Sequence, residues 1–187
     1  MSHPLPGRPA SSARPALPRR PGWIRAAAGV VLPGTIVAVS VLSALQIFVL
    51  NPLAAAPGGR GLGQVYADLE EAGEGGFPFV FSALILAAGV GVAVTLWFLI
   101  RHRERADPLA VLALGLAALV AAVPSYWVAS FGMGMALADT YMIGGADRSP
   151  WAGPVYALGA LAVPALVTAV VVLLRGPAAG LGVRRPR

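Results

Sequence analysis

The chain has no cysteine and no lysine, two histidines, and only 12% charged residues over 187 positions. Without cysteine there can be no disulfide, thiolate metal site, iron–sulfur cluster or thiol nucleophile. The charged fraction is half the ~25% typical of a soluble domain. Hydrophobic residues make up 57%, and the mean hydropathy is +0.75. That balance excludes an ordinary soluble enzyme and a disordered protein alike. An integral membrane protein remains.

Catalytic signatures are missing as well. No motif for nucleotide binding, serine hydrolysis, kinase chemistry or metalloprotease zinc occurs. Gly89/Gly91 and Gly132/Gly134 are GxG fragments inside apolar sequence, not phosphate loops. His3 and His102 do not have the i, i+4 spacing of a two-His metal site. No internal repeat is evident, which weakens an inverted-repeat transporter. The expectation is a protein that is not an enzyme, with no metal, no cofactor and no nucleic-acid partner.

What is present is four long apolar runs, at 24–50, 78–100, 109–131 and 151–174, with no charge inside beyond Arg25 at the very start of the first. About 20 apolar residues cross a hydrocarbon core of about 30 Å as a helix. Lipid offers the backbone no hydrogen-bond partner, so each run must be helical whatever its Val, Ile and Gly content. The fold class is therefore all-α, a polytopic bundle of four transmembrane helices over 23–175. Residues 1–22, rich in Pro and Arg, read as a disordered tail with some polyproline II character. Residues 176–187 form a basic C-terminal tail. Arg19-Arg20, the first apolar run and Leu53-Ala54-Ala55-Ala56-Pro57 have the layout of a secretory signal. The apolar part is nearly twice the length such a signal uses, so a retained span is expected.

Every one of the 14 basic residues is arginine. Arg8, Arg14, Arg19 and Arg20 precede the first run and Arg25 is its second residue, five on the N-terminal side. Arg101, Arg103 and Arg105 lie between runs two and three, and Arg175, Arg184, Arg185 and Arg187 follow the fourth. Only Arg60 and Arg148 fall in the other two connections. The positive-inside rule then places both termini in the cytoplasm of a multi-pass cell-membrane protein. Trp23, Trp97, Trp127 and Trp151 fall near the ends of runs, as interfacial anchors do. The arginines beside the spans, Arg19, Arg20, Arg25, Arg101, Arg103, Arg105 and Arg175, are the expected contacts to anionic lipid headgroups.

Small residues recur every four positions at Ala83, Ala87, Gly91 and Thr95, and again at Ala113, Ala117, Ala121 and Ser125. Such stripes predict close packing of helices two and three. Pro33, Pro124 and Pro164 are expected to kink their helices. In the first outer connection Val65, Leu69 and Ala72 share a helical face, predicting a short interfacial helix closed by glycines. Its four carboxylates match no Ca²⁺ loop.

Polar positions that could carry chemistry are few. Gln46 lies inside run one, Pro164 inside run four. Asp139 belongs to an apolar, glycine-broken stretch, 131–145, with Arg148 just beyond it, which reads as a helix extension or a re-entrant or interfacial segment folded back. The function expected is a non-enzymatic accessory or scaffolding subunit acting through helix–helix contacts, with a membrane protein or a second copy as partner. The alternative is a small permease or efflux component using Asp139, Gln46, Pro164 and Arg148 along a path between kinked helices.

Overall fold

The computed structural model describes residues 22–23, 27–102 and 107–175. The expected tails, and with them Arg19, Arg20, Arg25, Arg103 and Arg105, lie outside the described residues. The fold is all-α, with no strand among the described residues. Four helices are long and apolar enough to cross a bilayer: α1 (Gly29–Ala55), α3 (Phe77–His102), α4 (Pro108–Tyr141) and α5 (Ala152–Arg175). A short helix, α2 (Leu62–Glu71), lies between α1 and α3.

α4 is the hub. It packs along α5 on one side and α3 on the other, and α1 rests against α3 and α4 together. Asp107 starts α4 by accepting a hydrogen bond from Leu109 N at 3.0 Å, with Pro108 in the first turn. This is the favoured order of cap and proline at a helix start. The helix then runs ten residues beyond the expected limit at Phe131. Its 34 residues make about 51 Å of helix, roughly 20 Å more than the hydrocarbon core. The stretch after Phe131 is thus a helix extension. Its glycines serve packing: a Cβ at Gly134 would sit 3.3 Å from Gly145 O, so the loop after α4 folds back directly onto the helix.

The small residues that matter are not the expected ones. Ala83, Ala87, Gly91 and Thr95 are all exposed, and α3 turns Ser82, Ala93 and Leu96 inward instead. On α4, Ala113 is buried, but Ala121 and Ser125 are exposed. Close approaches occur at isolated glycines. A Cβ at Gly115 would overlap Leu32, one at Gly159 would overlap Val123, and one at Gly89 would lie 2.6 Å from Ser40 Oγ. Period-four counting misplaced the seam because α3 buries another face, the one that carries Ser82, Ala93 and Leu96.

Two wide turns with i→i+5 character occur, Ala27–Val31 leading into α1 and Gln46–Leu50 within it. Each is followed within two residues by a proline, Pro33 or Pro52. Proline removes an N–H and pushes on the carbonyl four residues back, which favours such a bulge. At Pro52 that carbonyl belongs to Phe48, and Tyr66 Oη donates to it at 2.5 Å.

α2 covers the projecting end of α4. Val65 and Leu69 are fully buried, in one cluster with Met133, Ala136 and Leu137. The expected face therefore packs on protein, while Ala72 stays exposed. Glycine closes the helix as anticipated. Gly73 has φ +81°, Gly73 N donates to Glu70 O and Glu74 N to Leu69 O, which is a Schellman ending. α2, the tip of α4 and the loop before α5 form a folded cap at one end of the bundle. The opposite end carries Arg101 and Arg175.

Candidate functional site

The densest polar group lies where the cap meets the bundle. In an α-helix, residues five apart point about 140° from each other. The wide turn changes this: Asn51 N donates to Gln46 O, bringing residue 51 back over residue 46. Both amide side chains then reach the same stretch of the loop before α5. Gln46 Nε2 donates to Ser149 O at 3.3 Å. Asn51 Oδ1 accepts from Arg148 N at 2.6 Å and from Ser149 N at 3.4 Å. Gln46 is wholly buried, and Asn51 and Ser149 nearly so.

The preceding residue is held from the other side. Tyr126 Oη, on α4, donates to Asp147 Oδ1 at 3.0 Å, and Tyr156 Oη, on α5, donates to Asp147 Oδ2 at 3.4 Å. The two rings meet edge to face at 5.6 Å. Three consecutive loop residues, 147 to 149, are thus fastened to α1, α4 and α5. Gln46 Oε1 is buried with no hydrogen-bond partner.

A second polar group secures α2. Tyr141 Oη donates to Asp68 Oδ2 at 2.7 Å, and Arg60 forms an ion pair with the same oxygen while lying over the Tyr141 ring at 5.8 Å. The Tyr141 hydrogen bond, and then Arg60, hold the Asp68 carboxyl below its ordinary range. Burial pushes the Tyr66 hydroxyl up. Beneath it, Phe79 stacks on Phe48 at 5.8 Å and meets Tyr66 at 5.1 Å. Deeper in the bundle, Ser82 Oγ donates to Ala129 O at 2.6 Å, a cross-helix tie between α3 and α4.

The expected site residues do not converge. Gln46 and the backbone of Arg148 belong to the first group. The Arg148 guanidinium turns away to Gly144 O at 3.4 Å. Asp139 is exposed on the projecting part of α4 and, among the described residues, has no ion pair. Pro164 is exposed on α5, facing outward. Among the described residues no three of His, Asp and Glu come together to hold a metal ion. Of the headgroup arginines, Arg101 lies over the Trp97 ring at 5.6 Å, and Arg175 is exposed in the last turn of α5. His102 packs its ring on Phe98 at 4.3 Å and is exposed. Trp23, Trp97, Trp127 and Trp151 are all exposed.

Sequence reasoning missed Asn51, Tyr126, Asp147 and Tyr156. Asn51 could have been flagged, since it is the chain's only asparagine and stands before a proline at the end of an apolar run. The tyrosines carried no signal beyond their type.

No family model, no curated protein and no solved structure matches the chain. The four apolar helices make it a multi-pass membrane protein.

Proposed function

We propose that this protein is a non-enzymatic accessory or scaffolding subunit of a membrane assembly, working through contacts of its helices with a membrane partner. The observation that carries this reading is the fate of its buried polar side chains. Gln46, Asn51, Ser82 and Tyr126 are all spent on fastening one element of the same chain to another. Asp139 and Pro164, which a transport path would need facing inward, are exposed. The outward surfaces are correspondingly large. α3 and α5 keep most of their apolar side chains on the outside, with Leu161, Val167 and Leu174 prominent on α5. A bundle that uses its buried polar side chains to tie its own elements together, with broad apolar faces outside, suits packing against another helix bundle.

The cap faces away from the cytoplasm and both termini lie inside it, since the arginines concentrate at the other end. Reporter fusions after Gly58 and Gly145 should read outside, and one after Arg105 inside. For the partner, a photo-crosslinking residue at Leu161 should give one discrete adduct in native membranes. The same probe at the buried Val155 should give none. Lipid adducts alone at Leu161, together with solute flux through vesicles holding the pure protein, would replace the accessory reading with the permease.

A further inference from the structure

Toward the arginine end, a groove of about 250 Å³ opens outward between α1 and α3. Val30, Pro33, Gly34 and Val37 line it from α1, and Val94 and Trp97 from α3. Its lining is apolar, and the cation of Arg101 lies 5.6 Å over the ring of Trp97, one of the lining residues. Among the described residues no carboxylate pairs with Arg101. We propose that this groove seats one acyl chain of an anionic phospholipid whose phosphate rests on Arg101.

The dimensions agree. From Arg101 back to Val94 is seven residues, about 10 Å of helix, so a phosphate at the guanidinium sends its chain directly along the groove. Trp97 sits between, an aromatic ring at headgroup level where such rings are favoured. A second copy of the chain is a poorer occupant. Symmetric pairing through this groove would bring two Arg101 guanidinium groups toward each other, which like charges oppose. A lipid phosphate neutralises the same cation.

The proposal rests on an anionic leaflet meeting the arginine end, but its test does not depend on orientation. The full chain is reconstituted in nanodiscs of phosphatidylcholine and phosphatidylglycerol, released gently, and the retained lipids are weighed by native mass spectrometry. One phosphatidylglycerol should be retained in preference to phosphatidylcholine. Gly34→Leu fills the groove and is tolerated by the fold, because a Cβ there meets nothing within 4 Å. It should abolish the retained lipid with the melting curve unchanged. Arg101→Gln should reduce the preference about fivefold, the worth of one basic residue near an anionic surface, and Arg101→Lys should largely restore it. Equal retention of the two lipids would overturn the proposal, as would retention undiminished in Gly34→Leu. A wild-type dimer that Gly34→Leu dissociates would assign the groove to a second copy instead.

Discussion

Gln46 and Asn51 stand one wide helical turn apart on α1, and their amide side chains grip the same residue, Ser149, from its two backbone faces. The two grips are unequal. Asn51 Oδ1 satisfies two N–H groups, whereas Gln46 satisfies one carbonyl and leaves its own Oε1 unpartnered.

This inequality sets opposite outcomes for two similar substitutions. Asn51→Leu strands the Arg148 and Ser149 amides in a buried place and should cost about 1–3 kcal/mol. Gln46→Leu removes a bond but also an unsatisfied buried oxygen, and should cost less than about 1 kcal/mol. Unfolding midpoints in micelles measure both. Equal losses would mean that the loop is held by its tyrosines and not by the amides.

Tyr66 and Pro52 are expected to be energetically coupled. Pro52 withholds the N–H that the Phe48 carbonyl would otherwise receive, and the Tyr66 hydroxyl takes its place. Tyr66→Phe should lose about 1 kcal/mol. In a Pro52→Ala background, where residue 52 again carries an N–H, the same change should lose much less. A double-mutant cycle reads the coupling directly.

Glycines separate seam from surface. Gly115→Ala and Gly159→Ala press a methyl group into Leu32 and Val123 and should destabilise by about 1–3 kcal/mol. Gly91→Ala meets nothing within 4 Å and should be neutral or stabilising by up to about 1 kcal/mol. Destabilisation at Gly91 equal to that at Gly115 would restore the regular stripe as the packing seam.

That contrast also marks how far the sequence was legible. Spans were readable because apolar length is a one-dimensional property, and the four runs agree with the four long helices to within five residues, except at the far end of α4. There the reading stopped at Phe131, since Gly132 and Gly134 look like helix breakers in isolation. The reason for Gly134 lies in a loop eleven residues further on, at Gly145, which no local pattern reveals. The same holds for the polar group. Gln46 could be picked out because it interrupts an apolar run. Its partner Asn51 comes into play only through a wide turn that hydropathy does not encode, and Ser149 lies about a hundred residues away. Asp139 drew notice as a lone carboxylate in apolar sequence, yet the extension of α4 carries it clear of the bundle.

Acid should loosen the cap. In the folded chain the Asp68 carboxyl is held below its ordinary value by the Tyr141 hydroxyl and Arg60. A group with a depressed folded pKa contributes stability above its unfolded value, here near 3.8, and that contribution is lost as pH falls through the lower folded value. The protection of α2 amides, taken relative to their intrinsic exchange rate at each pH, should therefore be constant from pH 7 to 5 and fall below about 4. In Asp68→Asn exchange should be faster at every pH, and the acid step attributable to this carboxylate should vanish. A step of the same size in Asp68→Asn would assign acid sensitivity to other carboxylates.

Met142 ends α4 in the left-handed conformation at φ +53°, a position usually given to glycine, and its side chain is 90% exposed. Ile143 N donates to Ala138 O at 3.1 Å, so the turn is a Schellman-type ending made with the wrong residue. The left-handed region costs an L-residue about 1–2 kcal/mol, and the exposed thioether returns almost no burial. Met142→Gly removes that strain but gives the unfolded chain more freedom, which offsets part of the gain. A net stabilisation of about 0.5–1 kcal/mol is expected. Met142→Ala keeps the backbone strain and should change little, so the pair separates conformation from side-chain contacts. If both variants were destabilised alike, the Met142 side chain would have to be making a contact at the exposed tip of the cap, and a partner seated there would be the next thing to seek.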